Sequence, residues 1–194
     1  MKLLFTTLAT IPYLVGFFPY LKDIHDLRVK PHIVSWFGWG LTTLLAFFAM
    51  SSDIFNWAAY IVLINSIACF SVVVYSLFKK AAVIDFSRLD IAFFLFGIVG
   101  IILWQSLDNP DLAILFAIFA DLSFGIPTFF KVYKDPKSET HLPWSMSVFS
   151  GFLSLFAISY ISFTEIAYPV YLFLFDLIIF LVILGYIKKS KKVT

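Results

Sequence analysis

Two stretches of this chain read as copies of one another: Pro19–Trp36, PYLKDIHDLRVKPHIVSW, and Pro127–Trp144, PTFFKVYKDPKSETHLPW. In each, the end of an apolar run gives way to a basic loop and then to a new apolar run. The prolines and the tryptophans both stand 108 positions apart, and His32 and His141 recur at an offset of 109, so one gap separates His from Trp. Self-similarity at a fixed spacing is the sequence signature of a repeated structural unit. Here the unit is a membrane unit, present twice.

The composition requires a membrane. The 194 residues are 61% hydrophobic, 20% aromatic and 13% charged, with a mean hydropathy of +0.96. A soluble chain of this size could not bury so much apolar surface. The single cysteine, Cys69, excludes an internal disulfide and a Cys-based metal site, and reads as a small packing residue. The start, MKLLFTTLATIPYLVGFF, has the charge and apolar core of a signal peptide. No small-x-small cleavage site follows it, and it matches a later internal segment, so it reads as a first spanning helix.

A spanning helix needs about 20 mainly apolar residues. Seven runs qualify: Leu3–Leu21, Ile33–Met50, Ile54–Phe78, Leu89–Leu107, Leu112–Phe130, Leu142–Thr164 and Ala167–Ile187. Their short connections make neighbours antiparallel. Of the 14 Lys and Arg residues, all but Lys2 fall in the loops after the first, third and fifth runs or in the C-terminal tail. The opposite turns carry Asp53, Asp108, Asp111 and Glu165 without Lys or Arg. The positive-inside rule then puts the N-terminus outside and the C-terminus in the cytoplasm. The tail KKSKK reads as a stop-transfer anchor, with a lipid-headgroup or nucleic-acid patch as the other reading. No nucleic-acid partner is expected.

The first three runs match the last three, and the fourth is left over. An odd span between the copies gives both the same orientation, a parallel repeat about an axis along the membrane normal. The expected fold is therefore an all-α membrane protein with seven transmembrane helices arranged 3+1+3. Residues 1–80 form the first bundle, 81–110 the connector, and 111–194 the second bundle with its tail. In the connector, Gly97 and Gly100 are placed for close packing on a neighbour.

Three polar side chains lie deep in apolar runs: Asn65 in IVLINSIACF, Asp121 in IFADLSF and Asp176 in YLFLFDLIIF. An Asp at mid-bilayer costs about 2.5–3.5 kcal/mol on insertion scales, so it needs a reason. One reason is a solute-binding site between the repeats, with Asp121 or Asp176 also taking up a proton. The other is interhelical hydrogen bonding alone. Pro19 and Pro127, late in the first and fifth runs, read as matched hinges of an inner gate or as helix terminators. Trp36, Trp39 and Trp144 sit at the cytoplasmic starts of the second and sixth runs, where an aromatic belt and the mouth of a path are both expected. Thr42, Thr43, Ser147, Ser150 and Ser154 continue up the same runs, facing either a polar solute or their own helix backbone. There is no Gly-rich phosphate loop, nucleophile elbow or metal-ligand spacing around His25, His32 and His141. Neither an enzyme nor a cofactor is expected.

Three helices, a connector and three more, with a proline late in the first and fifth helices before a basic loop, resembles the PQ-loop superfamily that includes the SWEET sugar facilitators. The Pro-Gln pair of that superfamily stands here as Pro19–Tyr20 and Pro127–Thr128. The resemblance implies alternating access of a small polar solute (a sugar, an amino acid or a similar metabolite) in a bacterial cytoplasmic membrane. It implies Asn65 and Asp176 as substrate residues and Asp121 as a proton-linked acid. The KDEL receptor shares this architecture, so a receptor or sensor is the alternative, and a structural membrane subunit is another. Seven helices in one chain leave both monomer and homo-oligomer open.

Overall fold

Neither repeated proline ends its helix. In the computed structural model, which describes residues 2–50, 57–84, 86–157 and 163–187, Pro19 lies inside helix α1 (Lys2–His25). Pro127 lies likewise inside α5 (Pro110–Lys134). A proline has no N–H, so the carbonyls of Val15 and Ser123, four residues earlier, lose their helical donors. The helices continue because the donors beyond each proline are intact.

The other helices are α2 (Ile33–Met50), α3 (Trp57–Phe78), α4 (Arg88–Ser106), α6 (His141–Ser154) and α7 (Phe163–Ile183). Single 3₁₀ turns occupy Pro136–Ser138 and Leu155–Ala157. The sixth helix is shorter than the run that predicts it. Its α-helical part ends at Ser154, and residues 158–162, which the run includes, lie outside the described residues, as do Asp53 and the KKSKK tail.

Local chemistry sets the ends. Ser87 and Asp90 form a reciprocal capping box at the start of α4, with N···O distances of 3.2 and 2.7 Å. Asn109 accepts from the backbone of Asp111 and Leu112 at 3.0 and 3.2 Å, and Pro110 opens α5. Helices α1, α3 and α7 end in the same way, with a left-handed residue at Leu27, Lys80 and Gly185. The following N–H reaches back five residues, as Arg28 to Asp23 (2.8 Å) and Ala81 to Ser76 (2.9 Å).

The helix pairs in contact form a patterned set. They are α1 with α3 and α6, α2 with α3 and α5, and α7 with α5 and α6. Exchanging α1 with α5, α2 with α6 and α3 with α7 turns this set into itself. Helix α4 stands apart from the exchange and packs mainly on α5.

The exchange extends to single residues. Gly16 of α1 faces Met146 of α6, where an added Cβ would lie 2.9 Å from the Met146 Cβ. Adding 108 to the first number and subtracting 108 from the second gives Phe124 and Gly38, and the ring of Phe124 on α5 does lie on Gly38 of α2. The two contacts occupy equivalent places with large and small partners swapped. On its other side the Phe124 ring covers Gly97 of α4, and Gly100 meets Ala120, so the connector glycines serve close packing.

Apolar side chains also cover the outside. Helix α4 buries only Gly97, Gly100 and Ile101, while Leu95, Phe96, Val99 and Ile102 are about half exposed or more. Among the described residues, Arg88–Ser106, Ile114–Lys134 and Ile166–Ile183 are long and apolar enough to cross a membrane, and Leu63–Phe78 is a shorter apolar helix.

Candidate functional site

The deep polar residues come together on four helices. Asp121 is buried in α5, and both of its carboxyl oxygens accept hydrogen bonds from α7. Tyr168 Oη donates to Oδ1 at 3.2 Å and Tyr171 Oη to Oδ2 at 2.8 Å. The two tyrosines are three residues apart, so they lie on one face of α7. Asp176 lies on the same stretch of helix and close enough to Asp121 for their charges to interact. It is half-buried and has no hydrogen-bond partner among the described residues.

The first repeat supplies a shorter version. Tyr13 Oη of α1 donates to Asn65 Oδ1 of α3, and the thiol of Cys69 approaches the same oxygen at 3.8 Å. Tyr13 and Asp121 stand 108 positions apart. In each half, then, a side chain from this position of the first helix is bonded to the third helix: Tyr to Asn in one, Asp to two Tyr in the other. Tyr13 in turn lies within electrostatic reach of Asp176, so the two pairs form one cluster.

Trp39 joins this cluster to the loop end. Its Nε1 donates to the backbone carbonyl of Asp121 at 3.3 Å. Its ring packs against Trp36, Trp144 and Phe175 with centroids 5.5, 6.5 and 6.1 Å away. The three tryptophans therefore form one edge-to-face group, with Trp144 buried and Trp36 and Trp39 half-buried. Trp144 is buried, and its Nε1 donates to Glu139 Oε2 at 3.4 Å. It packs with Val132, Phe175, Ile179 and Val182 of α5 and α7. Trp36 packs on the Tyr20 ring at 5.1 Å.

The hydroxyls divide. Thr42 and Thr43 donate to backbone carbonyls of their own helix, at Gly38, Trp39 and Gly40, and Ser154 does so at Gly151. Ser147 is half-buried on α6 and joins none of the cluster's hydrogen bonds. Ser150 crosses to α1 and donates to the Ala9 carbonyl at 2.6 Å, beside the backbone that Pro12 interrupts.

At the loop end the two copies of the repeated stretch bind each other. Lys30 N–H donates to the Ser138 carbonyl at 2.9 Å. These residues are 108 apart, as expected for two groups meeting on a pseudo-two-fold axis. Glu139, fully buried, accepts from Tyr20 Oη at 3.1 Å, from Trp144 and from the ammonium of Lys131. Lys131 also donates to the Lys30 carbonyl at 2.6 Å. Its counterpart, Asp23, accepts from Thr140 Oγ1 at 2.6 Å and pairs with Arg28 at 3.2 Å. His32 lies beside these loops. Burial, which outweighs the Asp90 carboxylate 3.7 Å away and is aided by Lys131, depresses its pKa to about 4.

Two grooves open at this end. One is lined by Leu21, Lys22, His25, Ser71 and Tyr75, the other by residues around Pro19 and Thr140; neither is lined by Asn65, Asp121 or Asp176. No family of known proteins, no curated protein and no solved structure matches this chain. Its chemistry must be read from its own residues. Sequence reasoning found both acids and the amide but missed Tyr13, Tyr168, Tyr171, Lys131 and Glu139. The 108-residue offset between Tyr13 and Asp121 was the available signal for the first.

Proposed function

We propose that this chain is a multi-pass membrane transporter of a small polar solute, built as seven spans in a 3+1+3 parallel repeat similar to the SWEET and PQ-loop proteins. The reading rests on one observation above others: two hydrogen-bonded polar groups, Tyr13–Asn65 of the first repeat and Asp121–Tyr168–Tyr171 of the second, with Asp176 within electrostatic reach of both, in the middle of apolar helices. Hydrophilic groups at that depth are expensive, and a midplane site between repeats is where alternating access places a solute.

In this reading Asp176 offers the solute an acceptor not already taken by a neighbour. Asp121, held by two tyrosines, orients the site and is the candidate proton carrier. The orientation is N-terminus outside, with the paired loops on the cytoplasmic side. In this reading the Lys30–Ser138, Lys131–Glu139 and Asp23–Thr140 contacts, which join the two repeats or brace the loop between them, form the closure on that side. Pro19 and Pro127 lie one to two turns inside that closure, where each frees a carbonyl and weakens the helix. Tyr20, directly after the first proline, reaches across to Glu139 of the other repeat.

A structural subunit is the second reading, favoured by the saturation of both Asp121 oxygens inside the protein. One experiment separates the two. The full chain is purified and screened by thermal shift against sugars, amino acids and vitamins, and any hit is followed as uptake into proteoliposomes. Transport requires that Asp176→Asn abolish both the shift and the uptake while the ligand-free melting temperature stays within a few degrees. A polar cluster that is glue alone would instead give no hit, and Asp176→Asn would only change the melting temperature.

A further inference from the structure

The outer face of α1 carries Leu4, Leu8, Ile11, Val15 and Phe18, all exposed. They are spaced by three and four residues, so they form one stripe along the helix. The stripe ends in Lys22 and His25, which continue the same spacing and are exposed. Helix α3 runs beside α1 and repeats the pattern. Ile64, Ile67, Val74 and Phe78 are exposed, the last two at 67% and 79%, and Lys79 follows directly. Between the two stripes, at their basic end, lies the groove formed by Leu21, Lys22, His25, Ser71 and Tyr75.

The polar atoms at this end are arranged toward the groove. His25 Nδ1 is 2.8 Å from Tyr75 Oη, and the ammonium of Lys79 lies over the Tyr75 ring, 5.9 Å from its centroid. Neither Lys22 nor Lys79 has a carboxylate within ion-pair distance among the described residues. Asp26, just beyond α1, pairs with Arg28 and also lies within electrostatic reach of His25 and Lys22. Two ammonium groups without an ion-pair partner thus stand at a groove, Lys22 in its lining and Lys79 beside its Tyr75, where two exposed apolar stripes end. The stripes offer an acyl chain an apolar surface, and the ammonium groups offer a phosphate two cations.

We propose that the α1–α3 groove binds one anionic phospholipid of the cytoplasmic leaflet, its chain along the two stripes and its phosphate between Lys22, His25 and Lys79. The inference rests on the membrane reading above but not on transport. The test uses the full chain purified in detergent, with native mass spectrometry counting retained lipid. The probes are phosphatidylglycerol, phosphatidylcholine with the same chains, and glycerol 1-phosphate.

The expected result is one phosphatidylglycerol retained per chain at least fivefold more strongly than phosphatidylcholine, and not displaced by millimolar glycerol 1-phosphate. Lys22→Ala with Lys79→Ala should remove that preference. Lys30→Ala with Lys134→Ala, basic residues of the same side outside the groove, should keep it. Equal retention of the two lipids, displacement by glycerol 1-phosphate, or loss of preference in the Lys30/Lys134 variant as well would each overturn the proposal. Both variants must melt within a few degrees of the parent; if the Ala pair does not, Lys22→Gln with Lys79→Gln replaces it under the same criterion. A chain recovered outside the membrane fraction would instead refute the membrane reading itself.

Discussion

At the scale of the residue, the contact between Glu139 and Lys131 carries the greatest energetic consequence. Glu139 is fully buried and its partner nearly so. Deleting one member of such a pair leaves an unpaired interior charge, which costs about 3–5 kcal/mol, whereas replacing both with neutral groups costs far less. Glu139→Ala should therefore lower the melting temperature much more than Lys131→Met combined with Glu139→Gln. A double-mutant cycle on thermal stability in detergent measures the coupling. Additive single effects would contradict it.

His32 gives a pH prediction at the same scale. Its folded pKa, about 4, lies below its ordinary value of 6.5 because burial disfavours the imidazolium. Between those values the unfolded chain binds a proton that the folded one does not. Its contribution is thus complete above pH 6.5 and is lost as pH falls toward 4. The melting temperature of the parent should drop across that window, and His32→Gln should flatten the drop. Asp90 and Lys131, the charged groups that act on the ring, stay in place in that variant.

Elements meet through glycines. The Phe124 ring occupies space that a side chain at Gly38 or Gly97 would need. Gly38→Ala should cost about 1–3 kcal/mol by overpacking, and Phe124→Leu in the same chain should recover part of it. Purified-protein melting curves decide this; no recovery would mean the contact between α2 and α5 is misplaced. The prolines work in the opposite sense. Pro127→Ala restores a helical hydrogen bond to the Ser123 carbonyl, so it should raise thermal stability. If the proline is a hinge, uptake of any identified solute should fall several-fold in the same variant. A variant that is more stable and equally active would reduce Pro127 to a packing residue.

For the whole molecule, the paired loops demand that residues 26–32, 79–84 and 135–140 share one side. With Cys69→Ala as background, single cysteines at Lys30, Lys80 and Lys137 should label only from the cytoplasm, and one at Asp108 only from outside. Mixed labelling among the first three would break the topology. The C-terminal tail, beyond the described residues, is expected on the cytoplasmic side by its charge.

What the chain declares on its own follows from composition and spacing. An apolar content this high favours long apolar helices, and the seven apolar runs correspond to the seven α-helices of the fold, three of which are long and apolar enough among the described residues to cross a membrane. The 108-residue offset already pairs Pro19 with Pro127 and Trp36 with Trp144. Periodicity reports only which residues share a helix, however, and carries no information about which helices touch. Tertiary packing alone decides that Asp121 is met by Tyr168 and Tyr171, that Trp144 is interior, and that Glu139 closes over Lys131. Those outcomes depend on side chains from segments 5 to 119 residues apart reaching one point in space. A polar residue in an apolar run announces that it needs a partner; only the fold supplies the partner's identity.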